Sequence, residues 1–295
     1  MISVAHRFHL PFLPPWDWQQ FCRHFALRLL PGVETLDASG YCRSLRVGEV
    51  TGWLAVRPHP EQHLLELQLS PSAAAIGPAL VARVRRMFDL DADPQAIAAH
   101  FASDPLLGPL VAGNPGLRLP TAFDPFEQAV RAIIGQQVTV KAAVTITNRL
   151  VARLGDPLPD APADGPRRLF PTPEQLASAD LSGIGMPGRR VLALQRLAAA
   201  VADGSFELHV EDGADALVER LCALPGIGPW TAEYIALRGF GAVDAFPAAD
   251  LGLLKSPVWG PGGISARELK TRAEAWRPWR AYAAIHLWDS YAGGG

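Results

Sequence analysis

The sequence predicts an α+β domain over residues 1–112, followed by a mostly α-helical region over residues 113–295. Three observations carry this. Short runs of β-formers are confined to the first span. The stretch "GNPGLRLPTAFDP" then breaks the pattern with Gly and Pro. Nearly everything beyond it shows apolar stripes of helical period.

In chain order, a first helix is expected near "WDWQQFCRHFALRLL". "YCRSLRV" and "GWLAVRP" are rich in β-formers, and "HLLELQLS" alternates apolar and polar residues. "ALVARVRRMFDL" puts Leu80, Val84, Met87 and Phe88 on one helical stripe. A sheet with two helices on one face is the simplest packing of these parts. After the break, "DPFEQAVRAIIG" places Phe126, Ala129, Val130, Ile133 and Ile134 on one face, with Asp124 as cap and Pro125 in the first turn. A helix from Val140 to Leu154 follows, with Thr139 as its cap. "GDPLPDAPADGPRR" is a loop, and "TPEQLASAD" and "GRRVLALQRLAAAV" open two more helices. Ala214, Leu217, Val218, Leu221 and Leu224 form the stripe of another, which turns at "PGIG" into a helix beginning at Pro229. A last helix is expected from Pro278, and the Gly-rich tail is expected to fray.

The 295 residues allow two or three modest domains, and 49% apolar against 19% charged residues describes a globular chain. The formal net charge of −2 is not the basic balance of many nucleic-acid-binding proteins. A protein that grips a few phosphates with backbone amides and local Arg does not need that balance. No apolar run has the length of a membrane span, and "MISVAHRFHLPFLPPW" lacks the apolar core of a signal peptide. Cys22, Cys42 and Cys222 are odd in number and far apart. They fit neither a disulfide framework, nor a zinc knuckle, nor a cysteine-ligated iron–sulfur cluster. The cytoplasm is the expected compartment.

The most informative stretch is "LPGIGPWTAEYIALRGFG". Taken alone, helix, Gly-x-Gly turn and helix have two readings. One is a tight helical corner in which glycine allows positive φ. The other is a phosphate grip, with backbone N–H groups and the helix dipole facing an anion.

With Asp250 in "VDAFPAADLGLLK", with "FEQAVRAIIGQQVTVKAA" upstream and "WRPWRAYAAIHLW" downstream, the chain resembles the helix-hairpin-helix DNA glycosylase superfamily. It is most similar to the alkylation-repair branch, the DNA-3-methyladenine glycosylase II family. "PPWDW" and "RSLRVGE" resemble that branch's TATA-binding-protein-like N-terminal domain. The resemblance implies a helical region that divides into two subdomains flanking a cleft. It also implies excision of alkylated purines from duplex DNA, the first step of base excision repair. The Ala-, Arg-, Gly- and Pro-rich composition is that of a GC-rich bacterial genome, and a monomer without a membrane is the plain expectation.

The family's essential aspartate matches Asp250, whose plainer role is a helix N-cap. Asp244 is the rival carboxylate and reads as a loop residue. One carboxylate suffices: cleavage builds oxocarbenium character on the sugar, and a cationic alkylated purine leaves readily. Where strand-cutting relatives have a Schiff-base lysine, this chain has Trp230, which implies a monofunctional enzyme. Trp230, Tyr234 and Trp288 match the aromatic base pocket, which would hold a flipped cationic base by stacking and cation–π attraction. The alternative for Trp230 is helix packing. Trp276 and Trp279 read as core. Ala281, Ala284 and Ile285 share a face with Trp288 and leave room for a cleft. Such a pocket implies broad choice among damaged bases.

The resemblance makes Gln137 the wedge that fills the hole left by the base, where the related branch has leucine. Gln136 is then structural. For both, the alternative is a plain polar turn between helices. Gly226, Ile227 and Gly228 would hold a DNA phosphate, with Arg189 and Arg190 adding contacts. No side-chain metal site or cofactor is implied, beyond a Na+ or K+ ion on the hairpin carbonyls. Two other readings stay open: a non-catalytic damaged-DNA-binding protein, and a glycosylase–lyase for oxidised bases, which Trp230 disfavours.

Overall fold

The computed structural model describes residues 6–293. The first five residues, part of the stretch read for a leader, and the last two glycines of the tail lie outside them.

Five strands make one antiparallel sheet: β1 (His6–Pro11), β2 (Glu34–Asp37), β3 (Gly40–Val47), β4 (Val50–His59) and β5 (Leu64–Leu69), in the order β1-β5-β4-β3-β2. The alternation of β5 turns Leu65, Leu67 and Leu69 inward, each fully buried. There they share one apolar cluster with Phe21 and Phe25 of helix α1 (Trp18–Ala26) and with Leu80, Val84 and Met87 of α2 (Gly77–Met87). Two helices on one sheet is therefore the architecture. Strands β1 and β2 escape sequence reading for physical reasons. The edge strand β1 alternates over only two apolar residues, the half-buried Phe8 and the buried Leu10, and β2 has four residues.

The rest is helical: α3 (Pro94–Phe101), α4 (Leu107–Gly113), α5 (Pro125–Ile134), α6 (Val140–Leu154), α7 (Pro173–Ser178), α8 (Gly188–Ala202), α9 (Ala214–Cys222), α10 (Pro229–Phe240), α11 (Leu251–Leu254), α12 (Ala266–Ala273) and α13 (Arg280–Gly293). The caps do what the sequence implies. Asp124 accepts from the amides of Phe126 and Glu127, and Thr139 accepts from that of Ala142. The last helix starts at Arg280, two residues after the expected Pro278.

The two cores interleave along the chain. Leu90 belongs to the sheet core, whereas Ile97, Phe101, Leu107 and Val111 on α3 and α4 belong to the helical core. The chain passes from the sheet core to the helical core between Leu90 and Ile97, and returns to the sheet core at Phe123.

The seam between the two cores is polar and well bonded. Gln20 and Arg118 exchange hydrogen bonds of 2.7 and 2.8 Å, and the Tyr282 hydroxyl donates to Asp89 at 2.9 Å. Arg43 of β3 donates to Glu127 of α5 at 2.7 Å, and Arg131 donates to both Glu127 and Glu34. These bonds fix α1 and the sheet against α5 and α13, and a cavity opens along that seam. No helix among the described residues is long and apolar enough to cross a membrane.

Candidate active site

The cavity has a volume of about 910 Å³ and is lined from both parts of the chain. Asp250 stands in its wall as the N-cap of α11. Its Oδ1 accepts from the amides of Gly252 at 2.9 Å and Leu253 at 3.3 Å, and from Trp288 Nε1 at 2.8 Å. Its Oδ2 accepts from Trp230 Nε1 at 3.0 Å. The capping and functional readings thus describe one side chain. The cap holds Oδ1, and the single bond at Oδ2 leaves that oxygen acceptor capacity beside the cavity. Asp244 is engaged elsewhere. It pairs with Arg277, and Arg280 donates to it through Nε at 2.9 Å and Nη2 at 3.2 Å. It is a structural carboxylate.

The three aromatic residues expected in the pocket meet there. Trp230 and Tyr234, one turn apart on α10, stack with centroids 5.4 Å apart and planes at 15°. Tyr234 meets Trp288 edge to face at 6.3 Å. Trp276 is in the core, with its indole N–H on Asp104. The small residues of α13 do not open a cleft. Ala281 and Ala284 are fully buried in the helical core, and of that face Ile285 reaches the cavity.

Sequence reasoning missed the polar wall opposite. His24 and Arg28 from the α1 region and Arg238 from α10 line the same cavity. The Arg238 guanidinium lies 4.7 Å from the centre of the Trp288 ring. Burial lowers its pKa to about 10, against the pull of Tyr234, so it is charged at neutral pH. Burial would raise the Tyr234 hydroxyl, but Arg28 and Arg238 outweigh it and bring it below its ordinary value. One face of Trp288 therefore already carries a cation of the protein's own. Leu27, Val138, Val140 and Leu251 stand exposed around the mouth of the cavity.

Gln137 is exposed at the turn between α5 and α6, with a left-handed backbone (φ 56°) uncommon for a residue other than glycine. Gln136 does not close its own turn. Its Nε2 reaches the Gly226 carbonyl and Thr231 Oγ1, both at 3.0 Å, and ties that turn to the hairpin.

In the hairpin, the three expected residues have different parts. Ile227 is buried, and its N–H is spent on the Leu224 carbonyl, so it plugs the turn into the core. Gly228 caps α10, and a Cβ added there would meet nothing, which leaves the helix start open to an anion. Gly226 has φ of 95°, and an added Cβ would lie 2.4 Å from that of Ala193. Gly226→Ala is expected to lower stability by more than about 1 kcal/mol and to weaken DNA binding, measured by urea unfolding and duplex titration. Arg189 is exposed beside the start of α8, whereas Arg190 is buried, so only Arg189 is free to reach a phosphate.

Among the described residues, no group of His, Cys, Asp and Glu is arranged to hold a metal ion. The carbonyls of Leu224 and Gly226 each accept one hydrogen bond and keep a second lone pair, a neutral donor type that suits a monovalent cation.

Residues 7–124 match the AlkA N-terminal domain, and residues 130–281 match the HhH-GPD superfamily base excision DNA repair proteins. The chain is 39% identical to DNA-3-methyladenine glycosylase 2 of Escherichia coli over 282 residues, 95% of each chain. Among solved structures, it resembles a 3-methyladenine DNA-glycosylase from Archaeoglobus fulgidus, with a TM-score of 0.80 at 20% identity over 97% of this chain and 98% of that one. That likeness shows the fold. It also resembles a Schizosaccharomyces pombe 3-methyladenine DNA glycosylase in complex with abasic DNA, with a TM-score of 0.54 at 26% identity over 65% of this chain and 95% of that one.

Proposed function

The chain belongs to the HhH-GPD superfamily of base excision DNA repair proteins, in the branch with an AlkA N-terminal domain, and from that premise we propose that it is a monofunctional DNA glycosylase for alkylated purines. It flips bases such as 3-methyladenine or 7-methylguanine out of duplex DNA and hydrolyses the N-glycosidic bond, leaving an abasic site. The observation that carries this is Asp250, held between two indole N–H groups in the wall of a cavity large enough for a purine nucleoside.

The steps follow from the residues. Gly226 and Gly228 bring the start of α10 to a phosphate, so the hairpin positions the strand without reading its sequence. Gln137, presented by its strained turn, enters the space the base vacates, and the exposed apolar rim presses against the unstacked pairs. The base enters beside Trp230, Tyr234 and Trp288. As the bond to the sugar lengthens, positive charge grows on the deoxyribose, and the Asp250 carboxylate stabilises it until water bonds to C1′ and loses a proton, leaving the abasic sugar. An alkylated purine cation leaves as a neutral base and requires no general acid. Trp230 offers no amine, so no Schiff base forms and the strand stays whole. We assign the hairpin carbonyls to a Na+ or K+ ion that stiffens the turn, duplex DNA as the partner of a monomer, and the cytoplasmic nucleoid as the place of work.

The direct test is incubation with methylated duplex DNA without added metal. Release of methylated purines, detected by chromatography, with strands cut only after alkali is the expected result. Strand cleavage without alkali would reassign Trp230. Binding to abasic duplex with no release would leave a damage-binding protein, with Asp250 as a cap only.

A further inference from the structure

The base pocket has a side that neither the aromatic residues nor Asp250 accounts for. His24, on α1, lines the cavity from the sheet domain. It is half-buried and packs edge to face against Phe25 at 5.5 Å. Among the described residues its ring nitrogens have no hydrogen-bond partner. Other polar side chains of this wall are anchored: Arg28 to the His24 carbonyl at 3.2 Å, Arg131 to Glu34 and Glu127, and Arg238 to the Pro120 carbonyl at 2.9 Å. A half-buried imidazole without a partner, facing a cavity, has a hydrogen bond left to give.

We propose that His24 is a further base-binding residue of the pocket, supplied by the sheet domain, and that its imidazole hydrogen-bonds the polar edge of the flipped purine. This inference rests on the base-excision reading above. The groups facing the ring decide its charge. Burial first, then Arg28, Arg238 and Arg131, hold His24 well below its ordinary pKa, so the ring is uncharged at neutral pH. A neutral imidazole carries one donor and one acceptor. It donates to the oxygen of a guanine-type base, or accepts from the amine of an adenine-type base, by choice of tautomer. It also adds no positive charge to a pocket that must admit a cationic base beside Arg28 and Arg238. A phenyl ring of similar size would fill the space and offer neither bond.

The test compares wild type, His24→Phe and His24→Gln on duplex DNA carrying 7-methylguanine, by single-turnover release of the base, alongside binding to a duplex with a tetrahydrofuran abasic analogue. The expected result for His24→Phe is release slowed about five- to tenfold, the effect of one lost neutral hydrogen bond. His24→Gln, which keeps a donor and an acceptor, restores most of the rate, and all three proteins bind the base-free duplex alike. Equal rates for wild type and His24→Phe would overturn the proposal. So would equal losses in both variants, or a loss of abasic binding parallel to the loss of release, because each would place His24 in packing or in strand binding. If wild type itself released no base, the excision reading would fail, an outcome distinct from any of these.

Discussion

Asp250→Asn is expected to slow base release by about 10²–10⁴-fold while the affinity for abasic duplex stays near that of wild type. Asparagine can still cap α11, because its Oδ1 can accept from the amides of Gly252 and Leu253. It cannot supply the negative charge that a sugar cation needs. Its amide group would also face the Trp230 N–H, donor against donor, where the carboxylate now accepts at 3.0 Å. The fold should therefore survive, and single-turnover release beside a binding titration separates the two effects. A release rate within tenfold of wild type would remove Asp250 from the chemistry.

The second large effect is on stability. Glu127 accepts from Arg43 and Arg131 in a network buried between sheet and helices, with the Arg43 and Glu127 side chains each 3% exposed. Glu127→Ala leaves two guanidinium groups without that partner, and a loss of about 3–5 kcal/mol is expected in urea unfolding. The pH dependence follows from the sign of the shift. Burial alone would raise the Glu127 carboxyl, but Arg43 and Arg131 outweigh it and hold it below its ordinary value. Such a group contributes stability that is complete above the unfolded pKa of about 4.3 and is lost as pH falls through the folded value. Wild type should thus lose stability on acidification below about pH 4, with a steeper slope than Glu127→Ala. A parallel acid slope in both proteins would show that Glu127 carries no such charge.

Local chemistry made much of this legible before the fold was known. Asp250 and Trp230 each stand at a helix start after a turn signal, so their places on the elements were legible locally, but their roles in the site came through resemblance. The same holds for Trp288, because nothing in its own helix separates a pocket residue from core. The polar wall was not legible. His24 reaches the cavity from α1, Arg28 from just beyond it, and Arg238 from the buried face of α10, where a charged residue breaks the apolar pattern without naming a partner. The Arg43–Glu127 bond joins residues 84 apart, and the Gln136–Gly226 bond joins residues 90 apart. Helical and strand periods report which face of an element is buried, but not which distant element covers it.

The measurement closest to the central claim is the affinity for two base-free duplexes, one with a neutral tetrahydrofuran at the lesion and one with a cationic pyrrolidine. If Asp250 stabilises a sugar cation in this pocket, wild type should prefer the pyrrolidine duplex by about 100-fold or more, and Asp250→Asn should bind both alike. Equal binding of the two duplexes by wild type, or a preference that survives in Asp250→Asn, would contradict it.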